Sequence, residues 1–106
     1  LWEYVPDTDT WVRRADFPGT ARSDMHGFVI SGRLYAGFGY ENMRGDWLDY
    51  TRDLWEYLPD RDVWEPRAGI TMWKPDYFTF SAGTDQGGYI GCAKDGLWMY
   101  SPEKDK

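Results

Sequence analysis

The sequence predicts an all-β protein made of short antiparallel strands, and three observations lead to that prediction. Aromatic residues make up 19% of the chain, including seven Trp and eight Tyr, and large rings are typical of strands because they fit a pleated, half-buried surface. The 12 Gly and 6 Pro supply turns between such strands. The third observation is an internal repeat, which indicates how the strands are organised along the chain.

The repeat begins at the first residue and returns in the middle of the chain. Residues 1–11 read LWEYVPDTDTW, and residues 54–64 read LWEYLPDRDVW. The match continues beyond these ranges, with an Arg and an Ala at corresponding places in both copies. A partial third copy, LWMYSP, occupies residues 97–102. Repetition on this scale is typical of architectures in which one supersecondary unit is used several times.

Each copy of the repeat has the pattern of a β-hairpin. The Leu-Trp-Glu-Tyr strand runs into Pro-Asp-x-Asp, where Pro presets φ and the Asp side chains can accept hydrogen bonds from nearby amides. A second strand then begins at Trp11 or Trp64. We predict that these two rings are equivalent and largely buried between neighbouring sheets.

A second strand pair lies between the hairpins. Residues 26–30 read as a strand, residues 31–33 as its turn and residues 34–39 as the returning strand. The corresponding ranges in the next unit are 77–81, 83–87 and 88–92. Four strands per unit follow. We expect one four-stranded antiparallel sheet with the strands in the order 28–30, 34–38, 54–58 and 64–67.

These motifs resemble kelch repeats, bacterial ones in particular. Leu34–Gly39 is similar to the kelch strand that ends in paired glycines, although Phe38 separates the glycines here. Leu54–Tyr57 together with Trp64 resembles the Tyr and Trp that close a kelch blade. The second unit departs from the pattern by lacking the Phe-Pro-Gly turn of residues 17–19. The resemblance implies a β-propeller, whose blades are four-stranded sheets.

With the strands of a blade named a to d, the resemblance divides the chain into three parts. Residues 1–15 would be strands c and d of a first blade, residues 26–68 a complete blade, and residues 77–102 strands a, b and c of a third. About two blades cannot close a ring by themselves. We therefore expect the partners to include other blades of the same propeller or further copies of the chain.

Charge and hydropathy exclude several classes of partner. The formal charge of −6 and a sequence pI of about 4.6 disfavour binding to nucleic acid. No apolar stretch approaches the ~20 residues of a membrane span. The single cysteine, Cys92, is expected to be a small buried strand residue. An extracellular or periplasmic location is expected.

The longest connections are expected at one end of the blade, where loops on a rigid scaffold usually carry function. They are the b–c connection of residues 40–52, the d–a connections of residues 16–24 and 69–76, and the short b–c turn of residues 93–95. Aromatic and Arg side chains are typical of binding hot spots. The predicted partner-binding residues are Arg22, Tyr40, Arg44, Asp46, Trp47 and Trp73. In the alternative interpretation, Trp47 and Trp73 only fold back over the blade.

The sequence contains no recognisable catalytic constellation. The only histidine, His26, has no second histidine or nucleophile motif beside it. The recurring carboxylates Asp7, Asp9, Asp60 and Asp62 are predicted to form turns, because they recur with the hairpins. We therefore expect a non-catalytic module that recognises a protein or glycan, without a cofactor or metal. The alternative is part of a propeller enzyme, similar to galactose oxidase or a sugar isomerase, with its active site completed by absent blades.

Overall fold

The computed structural model of the chain describes residues 1–44, 47–71, 80–92 and 96–106. Within these ranges the protein is all-β and contains no helix, as predicted, so none there could cross a membrane. The strands are β1 (Trp2–Val5), β2 (Thr10–Arg13), β3 (His26–Ile30), β4 (Arg33–Gly37), β5 (Tyr40–Arg44), β6 (Trp47–Tyr50), β7 (Leu54–Leu58), β8 (Val63–Arg67), β9 (Phe80–Gly83), β10 (Gly88–Cys92) and β11 (Gly96–Tyr100).

The central sheet has the predicted strand order. Its four strands are ordered β3-β4-β7-β8, and every neighbouring pair is antiparallel. Its β3–β4 turn contains Ser31 and Gly32, both at positive φ, a backbone conformation that glycine adopts at little cost. The prediction of this sheet is confirmed.

The residues before and after the central sheet along the chain form two further sheets. The first repeat copy forms the two-stranded sheet β1-β2, in which Tyr4 is paired with Trp11. The last strands form a three-stranded sheet in the order β11-β10-β9. The predicted strand 77–81 is described from Phe80 onwards, and the predicted turn 93–95 lies outside the described residues.

The connection of residues 40–52, which was predicted as a loop, is a hairpin of its own. Strands β5 and β6 pair antiparallel, with Arg44 opposite Trp47 and a register shift between Tyr40 and Met43. A sequence signal was present, because the Gly45-Asp46 dipeptide is of a kind that favours tight hairpins, and the strand-forming residues Tyr40, Trp47 and Tyr50 lie on either side of it. The prediction of a loop was wrong for this reason.

The core lies between the central and three-stranded sheets. It comprises Phe28, Ile30, Tyr35, Phe38, Leu54, Ile90 and Tyr100. The two sheets approach closely because glycines face the central sheet. A Cβ on Gly83 would lie 1.7 Å from the carbonyl oxygen of Val29, and one on Gly88 would lie 2.1 Å from the Phe28 ring. Cys92 is buried in β10, as predicted.

A buried carboxylate ties the strands of the central sheet together. Glu56 in β7 is fully buried and forms ion pairs with Arg33 of β4 and Arg67 of β8. The Arg67 Nε atom donates to Glu56 Oε2 at 2.7 Å. Because both carboxylate oxygens are paired, the buried charge is compensated.

The two repeat tryptophans are equivalent in local geometry but not in burial. The Trp11 ring centroid lies 5.3 Å from that of Tyr4 at 49°, and the Trp64 centroid lies 5.3 Å from that of Tyr57 at 51°. Trp64 is half-buried, whereas Trp11 is 65% exposed. The predicted burial of Trp11 was therefore wrong, because no described segment covers this ring in the way that residues 15–17 cover Trp64.

This difference predicts unequal effects of truncation. Trp64→Ala should lower the free energy of unfolding by about 2–3 kcal/mol, somewhat less than a fully buried aromatic ring would. Trp11→Ala should cost less than about 1 kcal/mol, because the exposed ring has little contact to lose. Urea denaturation of both variants measures the difference, and equal losses would contradict the unequal burial.

Candidate binding surface

The predicted loop end of the central sheet carries an open concave surface. Because neighbouring strands are antiparallel, the start of β3, the end of β4 and the start of β7 lie at the same end of the sheet. The surface, here called the loop-end groove, has a volume of about 610 Å³. It is lined by Pro18, Gly19, Thr20 and Arg22 from the β2–β3 connection, by Glu41 and Tyr50 from the β5–β6 hairpin, and by Thr51, Arg52 and Asp53.

A buried ion pair joins the two walls of the groove. The Arg22 side chain is only 3% exposed and pairs with Asp53, whose side chain is 35% exposed. Arg22 Nη2 donates to Asp53 Oδ2 at 2.9 Å, and Nη1 donates to Thr51 Oγ1 at 2.9 Å and to the carbonyl oxygen of Phe38 at 3.2 Å. A guanidinium with several fixed acceptors holds its neighbours in one geometry. The β2–β3 connection is thereby attached to the start of β7.

The same ion pair sets the ionisation of Asp53. Partial burial raises the pKa of this carboxyl, but hydrogen bonds from Arg22 and from the Trp55 indole outweigh burial and hold the pKa below its usual value. Trp55 Nε1 donates to Asp53 Oδ2 at 2.8 Å. Asp53 is therefore an ionised acceptor at neutral pH.

Backbone hydrogen bonds also connect the segments on the two sides of the groove. Ser23 and Tyr40 form an isolated antiparallel bridge, with N···O distances of 2.9 and 3.0 Å. The amide of Thr51 donates to the carbonyl oxygen of Gly39 at 2.8 Å. Gly39 has a φ of +93°, and a Cβ there would lie 2.3 Å from the carbonyl oxygen of Ser23. These bonds connect the backbone beside the groove, and only glycine fits at position 39.

Aromatic packing anchors the β2–β3 connection beside the groove. The Phe17 ring meets Trp64 and Trp55 edge-on, at centroid distances of 5.4 and 6.2 Å. The Arg22 guanidinium carbon lies 5.0 Å from the same ring, within the range of a cation–π contact. The segment that leaves the first repeat copy is thus anchored on the hairpin of the second, next to the groove.

The residues predicted to bind a partner fall into three groups. Arg22 lines the groove, whereas Tyr40 lies behind its lining, with its ring centroid 6.5 Å from that of the lining residue Tyr50. Arg44 and Trp47 face each other in backbone register on the β5–β6 hairpin. Asp46 and Trp73 lie outside the described residues. Arg22 has a positioning role through its buried contacts, and its contact with a partner stays a prediction.

Sequence reasoning missed several groove residues. Asp53 and Thr51 are held by Arg22, which is distant in sequence, so no local spacing indicates the contact. Glu41 and Tyr50 could have been found from the hairpin signal at Gly45-Asp46, because strand pairing brings the two ends of that hairpin together.

The carboxylates predicted to form turns do so. Asp9 and Asp62 adopt φ values of 50° and 52°, in the left-handed region that Asp tolerates better than most residues. Asp62 accepts hydrogen bonds from the Ala15 amide and the Tyr57 hydroxyl. These two bonds, the amide first, lower the pKa of Asp62. Burial and the bond to Asp62 raise the pKa of Tyr57 to about 12.

No protein-family model matches the sequence, and no curated protein is significantly similar to it. The repeat and the geometry of the loop-end groove are therefore the features that bear on function.

Proposed function

We propose that the protein is a non-catalytic binding module of the kelch propeller class, which recognises a protein or glycan at the loop-end groove. The observation that supports the proposal most directly is the convergence of the β2–β3 connection and the β5–β6 hairpin on one concave surface.

The repeat and the central sheet support the propeller class. The Leu-Trp-Glu-Tyr motif and its turn recur with the same Tyr–Trp geometry in two copies. The central sheet has four antiparallel strands in sequential order along the chain, apart from the inserted β5–β6 hairpin. Blades of this kind present their connections as loops at the ends of a rigid sheet. In this proposal the remaining blades come from further sequence or from further copies of the chain.

The chemistry of the groove suits recognition of a polar partner. Its rim carries the exposed Glu41, Arg52 and Thr20, together with the half-buried Tyr50. Carboxylate, guanidinium and hydroxyl groups beside an aromatic ring can hydrogen-bond and stack against a glycan or a polar peptide. The two walls are held together by the Arg22–Asp53 pair, so little conformational entropy would be lost on binding.

The proposal predicts that binding depends on the β5–β6 hairpin. An array of neutral and acidic oligosaccharides and a displayed random peptide library are screened with the full chain. The double variant Arg44→Ala/Trp47→Ala, and separately Tyr50→Ala, should weaken the best ligand at least about tenfold, in the range for loss of an interface anchor. The melting temperature of the Arg44→Ala/Trp47→Ala variant should change by no more than about 4 °C.

The control is Arg61→Ala, which also removes an exposed Arg. Its side chain is 64% exposed and lies in the β7–β8 turn, at the opposite end of the central sheet from the groove. This variant should bind the ligand as tightly as the unmodified chain. Equal weakening in test and control variants, or turnover of the bound ligand, would contradict the proposal.

A further inference from the structure

The same contact closes the turn that follows the Tyr-bearing strand of the second and third repeat copies. In the second copy, Asp62 Oδ1 accepts the Tyr57 hydroxyl at 2.7 Å and the Ala15 amide at 2.8 Å. In the third, Asp105 Oδ1 accepts the Tyr100 hydroxyl at 2.9 Å and the Ala68 amide at 2.8 Å. In both cases the amide comes from the segment that leaves the preceding copy. Each turn carboxylate therefore holds its own Tyr and one backbone segment of the preceding unit.

Residues 15–17 also contact the second hairpin through a further hydrogen bond and through ring packing. Trp64 Nε1 donates to the carbonyl oxygen of Ala15 at 3.0 Å, so the Ala15 peptide is held on both sides. Two residues later, Phe17 packs edge-on against Trp64 and Trp55. The corresponding residue on the third copy is Ile70, which packs against the core. The recurring requirement is an extended Ala-x-apolar segment with a free main-chain N–H at the Ala.

The first copy has the same hairpin geometry without such a segment. Asp9 has a φ of 50° and accepts the Tyr4 hydroxyl at 2.7 Å, as its counterparts do. Trp2 is 59% exposed and Tyr4 44% exposed, whereas Tyr57, the counterpart of Tyr4, is 7% exposed. Within the described ranges, no main-chain amide donates to the Asp9 carboxylate. The acceptor and the aromatic surface are thus already in place.

We propose that the β1–β2 hairpin is a docking surface for a segment with the chemistry of residues 14–17, carried by a partner polypeptide. Its Ala amide would donate to Asp9, the Trp11 indole would donate to the Ala carbonyl oxygen, and its apolar residue would pack between Trp2 and Trp11. Preformed geometry lowers the entropy cost of such docking. The surface is separate from the loop-end groove, and the proposal does not depend on binding there.

A second copy of the chain is a poor source for this segment. Its Ala15 and Ala68 amides already donate to Asp62 and Asp105. Supplying either segment to another chain would break a contact of the same kind within the donor. The occupant must therefore carry a segment that is not already bound.

The test uses the full chain and a peptide, acetyl-Arg-Arg-Ala-Asp-Phe-Pro-Gly-amide, which copies residues 13–19. Indole N–H signals are followed by NMR and assigned with Trp11→Phe and Trp64→Phe. The peptide should shift the Trp11 signal saturably, with a Kd of about 1 mM as suits a contact this small. The Trp64 signal should not move, because its site is occupied.

Two changes distinguish the proposed contact from nonspecific binding of the peptide. A peptide with proline in place of the alanine lacks the amide N–H and should bind at least about tenfold more weakly. Asp9→Ala should weaken the original peptide to the same extent, whereas Asp7→Ala in the same turn should not. The peptide change requires no variant protein, so the test holds even if Asp9→Ala perturbs the hairpin.

Three outcomes of the NMR titration would overturn the proposal. They are no shift of the Trp11 signal at about 5 mM peptide, several times the expected Kd, an equal shift with a scrambled peptide, and a shift of Trp64 instead of Trp11. Sedimentation of the chain alone provides the remaining check. Self-association that buries Trp11 would make a second copy the occupant and would also overturn the proposal.

Discussion

Replacing Asp53 by alanine is expected to destabilise the protein by about 3 kcal/mol. The substitution leaves the Arg22 guanidinium, which is 3% exposed, without its counter-charge, and breaking a buried pair in this way usually costs about 3–5 kcal/mol. We place the loss at the lower end because Asp53 is partly exposed and because Thr51 and Phe38 still accept from Arg22. Urea denaturation measures the loss.

The matched control is Asp16→Ala, which breaks the exposed ion pair of Asp16 with Arg13. Exposed pairs contribute about 0–1 kcal/mol, so this variant should unfold nearly as the unmodified chain does. If the two variants lost the same stability, the Arg22–Asp53 pair would not hold the groove together.

The same pair gives the protein a defined response to acid. The pKa of Asp53 is below its usual value in the folded chain, so the stabilisation is complete above the unfolded-state value of about 3.9. It is lost as pH falls through the lower folded-state value. Asp53→Ala should therefore unfold with a weaker pH dependence below about pH 4 than the unmodified chain.

Replacing Gly39 by alanine is expected to cost more than about 3 kcal/mol or to prevent folding. The φ of +93° alone costs a residue with a Cβ about 1–2 kcal/mol. The new Cβ would also lie 2.3 Å from the carbonyl oxygen of Ser23, which is held in the Ser23–Tyr40 bridge. Because the overlap is with backbone, relief requires breaking the bridge that closes the groove.

Gly32→Ala is the matched control for this prediction. Gly32 also has a positive φ, +77°, but a Cβ there would meet no atom within 4 Å. Its substitution should cost only the conformational strain, about 1–2 kcal/mol. Comparable losses for both variants in thermal denaturation would show that the close approach at Gly39 does not matter for stability.

The attachment of one repeat copy to the next has a consequence for the groove. Residues 15–17 run along the second hairpin from Asp62 towards Trp55, and Arg22 follows them into the groove wall. Disturbing the Asp62 contact should therefore displace the wall as well as weaken the packing of Trp64. We therefore expect contacts between successive units to be coupled to the shape of the groove through this one segment.

The sequence alone predicted the strand order of the central sheet. Hairpin turns act over a few positions, so the turns at Ser31-Gly32 and Pro59–Asp62 were enough to predict the β3–β4 and β7–β8 pairs. The pairing of β4 with β7 joins residues distant in sequence, and it was predicted from the repeat. The turn role of Asp9 and Asp62 was predictable for the same reason. The β5–β6 hairpin was also encoded locally, at Gly45-Asp46, although that signal was not recognised.

Only the tertiary structure decided which copies of the repeat are covered and how the groove is held. Trp11 and Trp64 occupy the same place in nearly identical sequences, but the second is packed under Ala15 and Phe17 and the first is exposed. Arg22 and Asp53 have no local spacing that pairs them. Burial and long-range ion pairing depend on which segments meet in space, and a local pattern of residues does not contain that information.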